Sequence, residues 1–72
     1  MAGAKLVELT IDHVRDVLLK EIEIATAVCR DGKRKRFTFN AWRDVYSVTK
    51  SGDVVDGGQS LEELVNIYNE LR

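Results

Sequence analysis

Apolar positions recur in this chain with two different periods, and turn residues mark where one period gives way to the other. Near the C-terminus Leu61, Leu64, Val65, Tyr68 and Leu71 recur at the spacing of one helix face. Ser60 and Glu63 before and within that run form a capping box, in which the hydroxyl and the carboxylate satisfy two otherwise orphan N–H groups. Glu62 and Glu63 suit the positive end of the helix dipole and Arg72 its negative end. This pattern predicts an amphipathic helix over 61–71, fed by a turn at Gly57-Gly58.

The middle of the chain has period two. Ile22, Ile24, Thr26 and Val28 alternate with Glu23, Ala25, Ala27 and Cys29, and the run leads into Asp31-Gly32, a two-residue hairpin signal of the type I′ class. Folding about that turn pairs Arg30 with Lys33, Val28 with Lys35, Thr26 with Phe37 and Ile24 with Phe39. Ile22, Ile24, Val28, Phe37 and Phe39 are then expected on one buried face. A third strand is predicted at about 43–50, carrying Val45, Tyr46 and Val48; a second tight turn at Ser51-Gly52 leads to a short strand at Val54-Val55.

The N-terminal third admits two arrangements. Thr10 suits the cap of a helix over about 11–20, with Ile11, Val14, Val17 and Leu18 facing inward. Val7, Ile11, Val14, Leu18, Ile22 and Ala25 also form one helical stripe, consistent with a single helix from about 5 to 27 that would abolish the first strand. The β-branched residues at period two and the hairpin turn after them favour the shorter helix. The expected fold is α+β, in the order α-β-β-β-(β)-α: a small antiparallel sheet of three to four strands with both helices on one face.

Length and charge narrow the function. Seventy-two residues make one small domain, 1–72, whose folding buries only about 60% of its unfolded surface. A hydrophobic fraction of 44% with 32% charged residues fits a globular domain rather than a disordered one. No apolar run approaches the roughly 20 residues needed to cross a bilayer, and Met1-Ala2-Gly3-Ala4-Lys5 lacks a signal-peptide core, so a cytoplasmic protein is expected. The net charge of −1 conceals segregation: residues 1–23 carry −2, residues 24–50 carry +5 and residues 51–72 carry −4. A uniformly basic nucleic-acid binder would not be divided in this way.

The run Arg30-Asp31-Gly32-Lys33-Arg34-Lys35-Arg36 sets five cations around one hairpin tip. Functionally, such a tip would neutralise phosphates or meet an acidic protein surface. Structurally, it would be a solvated hairpin whose charges discourage strand pairing between molecules. Trp42, Arg43 and Tyr46 lie close by, suited either to anchoring a partner or to closing one end of a small core. The α-β-β-β-α order resembles that of double-stranded-RNA-binding domains in topology alone. Where those domains present lysines at the start of the last helix, this chain has Glu62 and Glu63, which repel phosphate, and it is not assigned to that family.

Catalytic chemistry finds no constellation. His13 is the single histidine, and an exposed helix position accounts for it; Cys29 beside Arg30 reads as a small sheet residue. One Cys and one His cannot by themselves complete a structural zinc site, and Asp53 and Asp56 lack the further oxygens of a calcium loop. No cofactor and no enzymatic activity are expected. The leading expectation is a regulator, accessory subunit or phage-type accessory protein that docks on a partner through its sheet and basic hairpin, using Arg30, Lys33, Arg34, Lys35, Arg36, Trp42, Arg43 and Tyr46. The alternative is a nucleic-acid-binding module built on residues 30–36. Self-association is left open, and no membrane partner is expected.

Overall fold

In the computed structural model, which describes residues 8–72, the elements are α1 (Ile11–Leu18), β1 (Glu21–Val28), β2 (Arg34–Asn40), β3 (Val45–Lys50), β4 (Asp53–Gly58) and α2 (Leu61–Glu70). The four strands form one antiparallel sheet in sequence order, β1-β2-β3-β4. The α+β order read from the sequence is the observed one, and the short helix, not the long one, precedes β1. The residues read for a leader sequence, and position 5 where the longer helix would begin, lie outside the described residues.

Both helices start at the caps their sequences specify. Thr10 Oγ1 accepts from the His13 N–H at 3.1 Å, and Ser60 Oγ accepts from the Glu63 N–H at 3.4 Å. α2 lies across β2, β3 and β4 and seats Leu64 on Phe37 and Val48. These three residues form the contiguous core cluster, lined by Ala25, Tyr46, Ile67, Tyr68 and Leu71, while Cys29 and Thr38 are buried outside it. Burying each large side chain contributes about 1.5–3 kcal/mol, so this small core carries much of the domain's stability. α1 does not join α2 on that face. None of its residues is buried, and it is tied to the rest of the chain near its end: the Trp42 N–H donates to the Leu18 carbonyl at 3.2 Å, and Asn40 Nδ2 donates to the Leu19 carbonyl at 3.1 Å.

The first hairpin departs from the expected register by one residue. Val28 pairs with Arg34, Thr26 with Arg36, Ala25 with Phe37 and Ile22 with Phe39. The cause is the turn. The Cys29 N–H donates to the Lys33 carbonyl at 2.8 Å and the Gly32 N–H donates to the Cys29 carbonyl at 2.9 Å. The loop is therefore Arg30-Asp31-Gly32, three residues with Gly32 alone in the left-handed region at φ 84°, rather than a two-residue turn with two positive φ values. The type I′ geometry occurs instead at the β3–β4 turn, where Ser51 (φ 53°) and Gly52 (φ 83°) both lie in that region.

A bulge at Ile24 lets Ile22 and Ala25 both face α2 while Glu23 and Ile24 both point to the opposite side of the sheet. The expected buried face is corrected accordingly: Ala25 and Phe37 are inside, whereas Ile24 and Val28 are 54% and 58% exposed. A second bulge lies between β3 and β4, where Val48 pairs with Asp56 and Thr49 with Val54, leaving Val55 over.

Candidate functional site

The hairpin cations do not form one patch, because the fold uses several of them internally. Alternation along β2 turns Lys35 to the α2 side of the sheet and Arg34 and Arg36 to the other. Lys35 reaches the last turn of α2, where its ammonium donates to the carbonyl oxygens of Tyr68 and Leu71 at 2.8 and 2.7 Å. It thus takes the role the sequence suggested for Arg72, neutralising the negative end of the helix dipole. Arg36 Nε donates to Glu23 Oε1 at 2.7 Å across the β1–β2 pair. Lys50, the last residue of β3, pairs with Asp31 at 2.8 Å, and the Lys33 N–H also donates to that carboxylate at 3.0 Å. These contacts hold the Asp31 carboxyl below its ordinary range, the Lys50 hydrogen bond having the largest effect.

Arg30, Lys33 and Arg34 remain exposed at the tip. Arg34 Nη1 donates to Thr26 Oγ1 at 3.2 Å, which lays its guanidinium along the sheet face opposite α2. Among the described residues no helix packs closely on that outer face. Glu23, Thr38 and Ser47 form one cross-strand row on it, with Thr38 fully buried at its centre and Ser47 half-buried, and Thr26, Arg36, Thr49 and Val54 form the next. Exposed Ile24, Val28 and Val54 add apolar surface around these hydroxyl groups. The face thus combines apolar side chains at its edges with Arg34 and Arg36 on β2.

The two predicted aromatics are separated. Tyr46 belongs to the core side, with ring centroids 4.8 Å from Phe39 and 5.7 Å from Phe37. Trp42 lies in the β2–β3 turn, half exposed, with the Arg15 guanidinium of α1 5.6 Å from its ring centroid. Arg43 is in the same turn, where its N–H is received by Asn40 Oδ1 at 3.0 Å. This end of the sheet therefore anchors α1, and neither Trp42 nor Arg43 adjoins the basic tip. Sequence reading missed Thr26 and Asp31 as the residues that orient the tip cations; the i, i+2 acceptor of Asp31 in a glycine turn was the available signal.

Among the described residues no group of three or more His, Cys, Asp or Glu is placed to hold a metal ion. Cys29 is buried, and His13 is exposed on α1 beside an open depression lined also by Glu8, Leu9 and Thr10. No described helix is long and apolar enough to cross a membrane. No protein-family model, curated protein or solved structure matches this chain.

Proposed function

We propose that this chain is a non-enzymatic protein-binding module that docks through the outer face of its sheet, with Arg30, Lys33 and Arg34 steering it onto an acidic partner. The observation that carries this reading is the set of exposed apolar side chains on the outer face, Ile24, Val28 and Val54, on the same side of the sheet as the Arg34 guanidinium. Such a surface takes a regulator or accessory subunit to its target by apolar contact, and the tip cations accelerate the encounter. A single buried thiol suits a reducing compartment such as the cytoplasm.

Nucleic-acid binding by the same tip is the weaker reading, since Lys35 and Arg36 are committed to Tyr68, Leu71 and Glu23. Three remaining cations release few counterions. The test is association with partner captured from native lysate, with and without nuclease, using the wild-type chain and the pair Lys33→Glu, Arg34→Glu. Nuclease-resistant capture that the charge reversal slows supports the proposal. Capture abolished by nuclease, or submicromolar binding of an arbitrary single strand at about physiological salt, overturns it.

A further inference from the structure

Two aspartates in this chain precede a glycine, Asp31-Gly32 and Asp56-Gly57, and the fold treats them in opposite ways. In such a pair the side-chain carboxyl and the following backbone nitrogen can close a five-membered ring, and glycine has no side chain to hinder the closure. At Asp56 the two reacting groups already face each other. The Gly57 N–H donates to Asp56 Oδ1 at 2.7 Å, so the carboxyl carbon lies one bond beyond the atom that the amide nitrogen approaches. Asp56 is exposed on β4, an outermost strand, directly after the bulge that leaves Val55 over. Gly57 and Gly58 follow it, and their backbone gives the nitrogen freedom to turn onto the carbon.

At Asp31 both groups are directed elsewhere. Its Oδ2 pairs with Lys50 at 2.8 Å and its Oδ1 accepts from the Lys33 N–H at 3.0 Å. The Gly32 N–H, which would have to attack, donates to the Cys29 carbonyl at 2.9 Å. The same hydrogen bonds that close the hairpin loop therefore keep its carboxyl carbon away from the nitrogen.

We propose that Asp56 is a site of spontaneous isomerisation to isoaspartate, from which Asp31 is protected by its turn. The Gly57 nitrogen adds to the carboxyl carbon of Asp56 in its acid form. The new N–C bond forms, the C–OH bond breaks, and the hydroxyl leaves with the amide proton as water. Water then opens the cyclic imide. Addition at the backbone carbonyl of Asp56 breaks the original peptide bond, so the chain continues through the side chain and an α-carboxylate is left free. Addition at the other carbonyl restores aspartate. The steps need no oxidant, reductant or enzyme. The altered linkage adds a methylene to the backbone of β4 opposite Val48, between the sheet and the Ser60 cap of α2. Its free α-carboxylate is the group that isoaspartyl methyltransferases esterify, taking the methyl group from S-adenosylmethionine.

The folded full-length chain, kept for weeks at about physiological temperature and pH, provides the test. Isoaspartate is read by labelled methyl transfer with such an enzyme and located by peptide mapping with electron-transfer fragmentation. It should accumulate at least about tenfold faster at Asp56 than at Asp31. In the urea-unfolded chain the two rates should come within about threefold of each other, because only the fold separates them. Asp56→Glu, whose closure would need a six-membered ring, should remove most of the label with unchanged circular dichroism. Equal rates at the two sites in the folded chain overturn the proposal. So does a folded chain in which Asp56 stays intact, or a rate ratio that survives unfolding.

Discussion

Lys35 stands over the ring of Tyr68, its ammonium 4.1 Å from the ring centroid, while donating to that same residue's backbone carbonyl. One side chain from the middle of β2 thereby closes the last turn of α2 and fixes the helix against the sheet. The cation has been moved out of the solvent-facing set and into the fold.

Removing it should show as lost stability rather than lost binding. Lys35→Met keeps the apolar stem and deletes the charge, leaving the Tyr68 and Leu71 carbonyls without their donor. We expect a loss of about 2 kcal/mol in urea unfolding, the scale of a hydrogen bond to a charged group. Lys33→Met, on the exposed tip, should stay within about 0.5 kcal/mol of wild type. Equal losses at the two sites would contradict the assignment.

The helix cap offers a second measurement. Ser60→Ala deletes the oxygen that receives the Glu63 N–H. The expected cost is about 1 kcal/mol. Ser60→Asp should restore most of it, because a carboxylate accepts the same bond and favours the positive end of the dipole.

Leu64 is the one fully buried residue of α2, 2% exposed. Leu64→Ala should cost about 2–5 kcal/mol, a large part of the roughly 4–10 kcal/mol that a chain of this length possesses. Thermal unfolding should begin well below that of wild type. Val65→Ala, at a partly exposed position one residue on, should cost much less.

The first hairpin depends on Gly32. Its φ of 84° is strained for any residue with a Cβ, although no atom lies within 4 Å of the place a Cβ would take. Gly32→Ala should therefore destabilise by about 1–2 kcal/mol from backbone conformation alone. Gly58→Ala, which has the same free space without the positive φ, serves as the control.

The Asp31–Lys50 pair gives a pH signature. The Asp31 carboxyl titrates lower in the folded chain, chiefly through the Lys50 hydrogen bond and then the Lys33 N–H. Its contribution is present above the unfolded value of about 3.9 and disappears as pH falls through the lower folded value. Urea midpoints of wild type should exceed those of Asp31→Asn at about pH 6, and the gap should narrow progressively as pH falls below about 4. A gap independent of pH would remove the ion pair as its cause.

Local signals carried the element order well and the strand phase poorly, and β1 shows why. Its sequence has isoleucine or valine at one alternation and alanine at the other, so hydrophobicity favoured placing Ile24 and Val28 inside. The phase is set instead by whether the Asp31-Gly32 turn holds two residues or three, a matter of two backbone bonds at Cys29. The bulge at Ile24 then changes the phase again within the strand. Lys35 could not be read as a helix anchor because its partners lie 33 and 36 residues away. The cluster of basic residues was legible; its division among two faces and a helix end required the register.

The interruptions at Ile24 in β1 and at Val55 in β4 fall on the two outermost strands of the sheet. A strand added from another molecule needs an even succession of donors and acceptors along such a margin, and each bulge breaks that succession. The sheet therefore resists lengthening by one chain after another into a fibre. With both margins interrupted, strand-by-strand growth is disfavoured even in a chain with so small a core.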